Sequence, residues 1–154
     1  MVYCEQLGGI WMHEVKTIGI LTSGGDAPGM NAAIRAVVRT ALASGMKVKG
    51  IKRGYAGLLN NEIIDMNSRM VSEIARLGGT ILFTARCKEF ETREGQQKGA
   101  EILRKHGIDG LIVIGGDGSF RGAQKLSALG INTIGIPGTI DLDINCTEYT
   151  IGFD

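Results

Sequence analysis

Two acidic runs in the sequence hold the residue types that phosphoryl-transfer or proton-transfer chemistry uses. Asp141 and Asp143 stand two residues apart, and Asp117 lies between glycines in residues 115–119. On extended backbone, side chains two positions apart point the same way. One carboxylate of the pair could accept a proton from a substrate hydroxyl while the other helps with metal or orientation. Asp117 could hold Mg²⁺ while its flanking glycines let backbone approach phosphates, so an enzyme is favoured over a binding module.

Each acidic run also has a purely structural interpretation. Asp141 and Asp143 could form an Asx-type turn after the Pro137-Gly138 pair. Residues 117 and 119 could instead cap a helix. Residues 116–122 also miss the dinucleotide-binding fingerprint, because the last glycine comes one residue late. On these residues alone both interpretations stay open.

Further candidate residues follow other apolar runs. The backbone N–H groups of residues 22–29 could bind an anion at a helix N-terminus, although a tight turn is almost as good an interpretation. No lysine-serine or lysine-threonine pair follows, so this is not a Walker A loop. Arg86 could bridge phosphate oxygens bidentately or form a surface salt bridge. Arg35 and Arg39, four residues apart, could be a solvated helix face or bind the phosphate of an effector.

The alternation of apolar runs with helical periods predicts the elements that position these residues. We expect strands at 18–22, 48–52, 80–84, 111–114 and 133–136, helices at 30–42, 71–77, 92–106 and 122–129, and a loop at 54–57. Short connections between them indicate an α/β domain with a mostly parallel sheet and flanking helices. Ligands bind beyond the carboxyl ends of such strands. The loops at 22–29, 84–90, 115–119 and 137–143 should therefore converge on one edge.

Composition narrows the class of protein further. The chain has 154 residues, 24 glycines and a net charge of +1, which argues against partners such as nucleic acid or a membrane surface. Three cysteines without metal-type spacing make a disulfide framework unexpected, so a reduced, cytoplasmic protein fits best. No apolar run approaches the roughly 20 residues that span a bilayer. We expect residues 1–15 to be a non-essential extension without signal-peptide features, and residues 16–154 to form one domain.

Five motifs together resemble the bacterial ATP-dependent 6-phosphofructokinases, in that family's order and spacing. They are residues 21–32, 78–80, 84–86, 115–119 and 137–141. The resemblance runs from about residue 16 to residue 154 and covers the N-terminal half of the family's fold. It implies phosphorylation of fructose 6-phosphate by ATP in glycolysis, with Mg²⁺. NAD kinase and diacylglycerol kinase share the glycine-aspartate-glycine loop, but the motifs at 21–32 and 137–141 weigh against them.

The resemblance also implies a role for individual residues. Asp141 would be the base that takes the proton from the 1-hydroxyl of the sugar, with Asp143 assisting at the metal side and Asp117 at Mg²⁺. Thr139 and Ile140 would flank the sugar. Gly25 and Arg86 would donate to the transferring phosphoryl group. The implied ATP-binding residues are Gly25, Tyr55, Arg86, Cys87, Gly116, Asp117, Gly118 and Ser119.

Other positions distinguish branches of the family and its regulation. Gly118 and Gly138 are similar to the ATP-dependent branch, since the pyrophosphate-dependent branch carries an aspartate and a lysine there. Arg35 and Arg39 match a helix that contacts an allosteric, ADP-type nucleotide across a subunit interface of a homotetramer. Ser68 stands where many bacterial members have arginine.

Two further departures concern catalysis. Leu142 occupies the position between the two aspartates where the family usually has asparagine. The family's sugar-phosphate arginines and second domain lie beyond residue 154. We therefore expect negligible turnover from these 154 residues alone, and the alternative function is a catalytically inactive nucleotide-binding or interaction fragment.

Overall fold

The computed structural model describes residues 15–141, 144–145 and 147–153. Its strands are β1 (Thr17–Thr22), β2 (Lys47–Ile51), β3 (Ile63–Met66), β4 (Gly110–Gly115) and β5 (Asn132–Pro137). Its α-helices are α1 (Met30–Ala43), α2 (Gly54–Leu59), α3 (Arg93–Lys105) and α4 (Asp117–Ala128). Two short 3₁₀ turns, Ile74–Arg76 and Glu89–Glu91, lie between β3 and α3.

The five strands form one sheet in the order β3-β2-β1-β4-β5. Strand β1 lies at its centre, runs parallel to β2 and β4, and is buried along all six residues. Strand β5 is parallel to β4, whereas β3 is antiparallel to β2 at the other edge. The predicted α/β class with a mostly parallel sheet and flanking helices is confirmed.

Helices cover both faces of the sheet, so alternate residues of β1 enter two different cores. Ile20 packs with residues of α1 such as Ile34, and Leu21 packs with residues of α2 and α3 such as Leu58 and Leu103. All five of these side chains are fully buried. A central strand covered on both faces is therefore apolar throughout, which is why β1 could be predicted from its sequence.

Several predicted boundaries are confirmed and others are wrong. Helix α3 begins after Thr92, whose hydroxyl accepts a hydrogen bond from the Gly95 backbone N–H at 3.0 Å, as the cap prediction requires. Residues 54–57, predicted as a loop, begin helix α2. The two glycines suggested a loop, but Tyr55, Leu58 and Leu59 are buried together and stabilise the helix. Helix α4 begins at Asp117 rather than near residue 122, so the glycine-rich run is already helical.

The segment between β3 and α3 departs most from the prediction. Residues 80–84 were expected to form a strand but are irregular, with Phe83 in the left-handed region at φ 59°. Side chains hold this backbone in place of a strand partner: the Thr22 hydroxyl donates to the Phe83 carbonyl at 2.9 Å. The predicted helix at 71–77 is only the 3₁₀ turn Ile74–Arg76. Strand β3 was not predicted, because it is a short edge strand with three of its four residues only partly buried or exposed.

Candidate functional site

The four predicted loops meet at one cavity of about 1020 Å³. It lies beyond the carboxyl ends of β1, β4 and β5 and is lined by residues of all four loops, 23–27, 85–88, 116–119 and 138–141. The predicted convergence is confirmed for the described residues. Parallel strands produce it for three of the loops, because the carboxyl ends of β1, β4 and β5 share one edge of the sheet. The loop at 84–90 reaches the cavity without the strand that was predicted to precede it.

The loop after β1 is fixed against β4 and leaves open space above one glycine. The Ser23 N–H donates to the Ile114 carbonyl at 3.0 Å. Gly24 is left-handed at φ 91°, and a Cβ added at Gly25 would meet no atom within 4 Å. The loop then leads to helix α1, whose N-cap, Gly29, has no side-chain cap. Backbone with this freedom and exposure can approach a phosphate closely.

The loop after β4 is the first turn of α4. Gly116 is the N-cap residue of helix α4, and as a glycine it provides no side-chain cap. Neither Asp117 nor Ser119 therefore caps the helix. The Asp117 carboxylate lines the cavity and is bound by Arg121, with 2.9 Å between Oδ2 and Nη2. Ser119 is buried where the two glycine loops meet, and a Cβ at Gly115 would lie 2.5 Å from its hydroxyl oxygen. Small residues are therefore required for the loops to pack.

An aromatic pair forms one wall of the cavity. Tyr55 and Phe90 are stacked with 4.1 Å between ring centroids and an interplanar angle of 11°. The Tyr55 hydroxyl donates to the Ser119 carbonyl at 2.6 Å, and burial raises the pKa of Tyr55, so the phenol stays neutral. A Cβ at Gly122 would lie 2.7 Å from the Tyr55 ring. This wall offers a flat apolar surface next to the polar loops.

Arg86 and Cys87 line the cavity from the irregular segment before α3. Within the described residues the exposed Arg86 makes no salt bridge, so the alternative of a surface ion pair is not what the structure shows. Its guanidinium is available to an anion in the cavity. Arginine binds phosphate oxygens in a bidentate manner.

The loop after β5 carries three predicted residues, Thr139, Ile140 and Asp141, to the cavity. The Gly138 N–H donates to the Gly115 carbonyl at 3.0 Å, and the Asp141 N–H donates to the Thr139 hydroxyl at 3.1 Å. A turn made by the threonine side chain therefore shapes residues 139–141, and the predicted turn made by an aspartate side chain depends on residues outside the described ranges. Leu142 and Asp143 lie outside the described residues, so the predicted pairing of Asp141 with Asp143 is untested.

The two arginines of helix α1 are not brought to the cavity. Arg35 donates from Nη1 to the Val71 carbonyl at 2.7 Å and to the Ser72 carbonyl at 2.8 Å. Arg39 is exposed. An effector role for this pair stays a prediction.

Five cavity-lining residues lie outside the predicted loops and candidate residues: Glu91, Gln96, Arg121, Gly122 and Lys125. Arg121 and Lys125 follow Asp117 at four-residue steps, so a helix correctly begun at residue 117 would have placed all three on one face. Glu91 and Gln96 carried no local signal, because only the packing of the 3₁₀ turn and of the start of helix α3 brings them to the cavity.

A metal ion at Asp117 would find few protein ligands among the described residues. The described residues contain no group of three or more histidine, cysteine, aspartate or glutamate side chains that could hold a metal ion. Mg²⁺ commonly takes one or two carboxylates and completes its shell with phosphates and water. The partly exposed carboxylate of Asp117, facing a cavity next to glycine loops, fits that mode of binding.

A mostly parallel sheet whose glycine loops, arginine and carboxylates share one cavity defines an α/β protein with a candidate ligand site at the carboxyl ends of its strands. Residues 17–154 match the family model described as phosphofructokinase, and the chain belongs to this family. No helix in the described part of the chain has the length and apolar character to cross a bilayer.

Curated relatives and solved structures agree with this membership. The chain is 67% identical over 140 residues to an ATP-dependent 6-phosphofructokinase of Clostridium botulinum and 70% identical over 141 residues to one of Thermoanaerobacter sp.. These alignments cover 91% of the chain and 44% of each relative, so the chain spans less than half of their length. The phosphofructokinase structure from Saccharomyces cerevisiae superimposes with a TM-score of 0.83 at 39% identity, over 89% of this chain and 22% of that one. The structure of a pyrophosphate-dependent phosphofructokinase from Marinobacter aquaeolei superimposes with a TM-score of 0.79 at 27% identity, over 90% of this chain and 37% of that one.

Proposed function

We propose that this chain supplies the nucleotide site and the catalytic base for ATP-dependent phosphorylation of fructose 6-phosphate to fructose 1,6-bisphosphate. The observation that carries the proposal is the convergence of two glycine loops, Arg86, Asp117 and Asp141 on one cavity. Relatives at 67% and 70% identity that bear the name of this activity support it.

The chain's own groups would stabilise the charge of the transferring phosphoryl group. Phosphoryl transfer needs positioning and electrostatic stabilisation more than covalent help from the protein. Backbone near Gly25 and at residues 116–119, together with the Arg86 guanidinium, would donate to phosphate oxygens. Mg²⁺, when held at Asp117, supplies further neutralisation of the phosphates.

Asp141 would act from the loop that follows β5. Its side chain is exposed, and its backbone is held by the bond to the Thr139 hydroxyl. A carboxylate there can accept the proton of the attacking sugar hydroxyl. Thr139 and Ile140, which line the same cavity, would flank the sugar.

The two positions that separate nucleotide from pyrophosphate branches differ in available space. A Cβ at Gly118 would meet nothing within 4 Å, so the cavity is open there. A Cβ at Gly138 would lie 3.0 Å from the Ile114 side chain. Room for a nucleotide is therefore attributed to Gly118, whereas Gly138 serves close packing on β4.

A titration of Mg-ATP into the purified chain, followed by isothermal calorimetry, tests the proposed nucleotide site. We expect saturable binding that weakens on the order of tenfold in Asp117→Ala, because a charge-assisted contact contributes roughly 1.5–3 kcal/mol. Asp65→Ala, which removes the same charge from the exposed edge strand, should bind like the parent. Absence of binding by the parent would overturn the proposal.

A second candidate, nucleotide binding without catalysis, is favoured by the 44% coverage of the relatives. Formation of ADP that depends on fructose 6-phosphate separates the two. We expect negligible turnover by these 154 residues, and turnover at roughly 1–100 s⁻¹, the range of kinases, would contradict that expectation. Mg-ATP binding without turnover would support the ATP half of the site.

The same membership supports three further proposals for the whole protein. It would be a cytoplasmic homotetramer, and Arg35 and Arg39 would bind an ADP-type effector. Arg39 is exposed and Arg35 is only partly buried, so both can meet a ligand or a neighbouring subunit.

A further inference from the structure

One face of helix α4 presents a row of charges to the cavity. Asp117, Arg121 and Lys125 are four residues apart and all line it. Within this row Arg121 Nη2 lies 2.9 Å from Asp117 Oδ2. Among the salt bridges of the described residues, this is the one whose two partners both line the cavity.

We infer that Arg121 is an exchangeable counter-cation of Asp117, which neutralises the carboxylate without metal and releases it when metal and nucleotide bind together. This rests on the proposed function, because it concerns Asp117 as the metal-side carboxylate. A divalent cation and Arg121 would compete for the same carboxylate charge, because Arg121 already contacts Oδ2 of Asp117. The side chains of Arg121 and Asp117 are 76% and 46% exposed, so the exchange requires no unpacking of the core.

The simpler interpretation is a helix-surface ion pair. An acidic residue four positions before a basic one is the favourable orientation, and such a pair stabilises a helix slightly. That interpretation predicts an effect on stability and none on ligands. Because both groups line the cavity, we instead expect the loss of Arg121 to change two affinities in opposite directions. The affinity for a divalent cation should rise, and the affinity for metal-free ATP should fall.

The opposite signs follow from charge. Without Arg121, the carboxylate of Asp117 would face the phosphates of metal-free ATP unshielded, and repulsion would weaken binding. The same carboxylate would be free for a divalent cation, and metal binding would tighten. Exposed pairs of this kind contribute about 0.2–1 kcal/mol, which corresponds to roughly 1.4-fold to fivefold in each affinity.

Three variants of the 154-residue chain test the inference: Arg121→Gln, Arg121→Lys and Lys125→Gln. ATP binding is measured by calorimetry in excess EDTA and in excess Mg²⁺. Binding of free metal is measured from the Mn²⁺ concentration that broadens the backbone amide signals of residues 116–119 in NMR spectra. Lys125→Gln removes the same charge one turn further along the helix without breaking the Asp117 contact.

For Arg121→Gln we expect weaker ATP binding in EDTA, little change in Mg²⁺, and broadening at a lower Mn²⁺ concentration. Arg121→Lys should stay close to the parent, and Lys125→Gln should leave the Mn²⁺ response nearly unchanged. If Arg121→Gln and Lys125→Gln change ATP binding and the Mn²⁺ response equally, the inference is overturned, because the loss of any positive charge near the cavity would then explain both results. Unchanged ATP and Mn²⁺ binding in Arg121→Gln would leave only a helix-surface pair.

The failure of the proposed function gives a different result from the failure of this inference. If the parent binds no ATP in either condition, the nucleotide site is disproved. The Mn²⁺ measurement still decides whether Arg121 competes with a cation for Asp117, because it uses metal alone.

Discussion

The Tyr55 hydroxyl donates a 2.6 Å hydrogen bond to the Ser119 carbonyl, and so ties helix α2 to the first turn of helix α4. The same ring is stacked on Phe90, which precedes helix α3. One buried side chain thus connects three segments that line the cavity. The glycine loop at 116–119 is thereby held by a residue far away in the sequence.

Replacing Tyr55 by phenylalanine removes this bond and keeps the stack. We expect Tyr55→Phe to lower the free energy of unfolding by about 1 kcal/mol, the usual net contribution of one hydrogen bond. Urea denaturation with equal slopes for both proteins measures it. Tyr149→Phe, at a residue that is 68% exposed, is the control and should change nothing. An unaltered midpoint in Tyr55→Phe would show that the bond does not hold the loop.

Asn31 has a comparable role between helix α1 and the segment that leads to Arg86. It is 1% exposed, donates to the Leu77 carbonyl at 3.0 Å and accepts from the Ile81 N–H at 2.8 Å. We expect Asn31→Ala to lower the free energy of unfolding by about 1–3 kcal/mol, since it leaves polar groups without partners. Amide exchange at residues 78–82 should also accelerate.

An exposed asparagine provides the comparison for that prediction. Asn132 donates one hydrogen bond to the Asp109 carbonyl at 3.1 Å at the surface. Asn132→Ala should therefore cost little stability and leave exchange at residues 78–82 as in the parent. Equal losses in the two variants would mean that the buried position of Asn31 has no special effect.

The edge strand β3 should respond to acid. The hydrogen bond from Arg53 lowers the pKa of Glu62, and that from Lys49 lowers the pKa of Asp65. A carboxylate with a lowered folded-state pKa stabilises the fold above its unfolded pKa, near 4, and this contribution is lost as pH falls through the folded value. In thermal unfolding at pH 6, the parent should have a higher melting temperature than the Glu62→Gln, Asp65→Asn double variant. This difference in melting temperature should disappear at low pH. A difference in melting temperature that does not change with pH would show that the two carboxylates do not stabilise the fold through their lowered pKa values.

The parts of the fold that could be predicted are those where local pattern and burial agree. Strand β4 is predicted by its apolar run, and helix α3 by the cap at Thr92 and its basic last turn. Position at the carboxyl edge of a parallel sheet then places Asp117 and Asp141 together without knowledge of any contact, whereas Arg86 reaches the same cavity from the irregular segment before α3.

The missed parts depend on contacts between distant residues. Helix α2 forms because Tyr55 is buried against Phe90 and bonded to Ser119, and glycine content alone predicts a loop there. The segment at 80–84 is held by the Thr22 hydroxyl and Asn31, so its apolar residues do not make a strand. Pattern in the sequence does not report such partners.

Binding of Mg-ATP to Gly118→Asp decides whether the glycine loops hold a nucleotide. A Cβ at Gly118 meets nothing within 4 Å, so the added carboxylate would occupy only the cavity and repel phosphates. Gly78→Asp is the matched control, since Gly78 has equally open space and does not line the cavity. We expect calorimetry to detect binding by the parent and by Gly78→Asp, and an affinity lower by roughly tenfold or more in Gly118→Asp, where like charges meet at short range. Equal affinities of Gly118→Asp and the parent for Mg-ATP would show that the glycine loops do not hold the nucleotide.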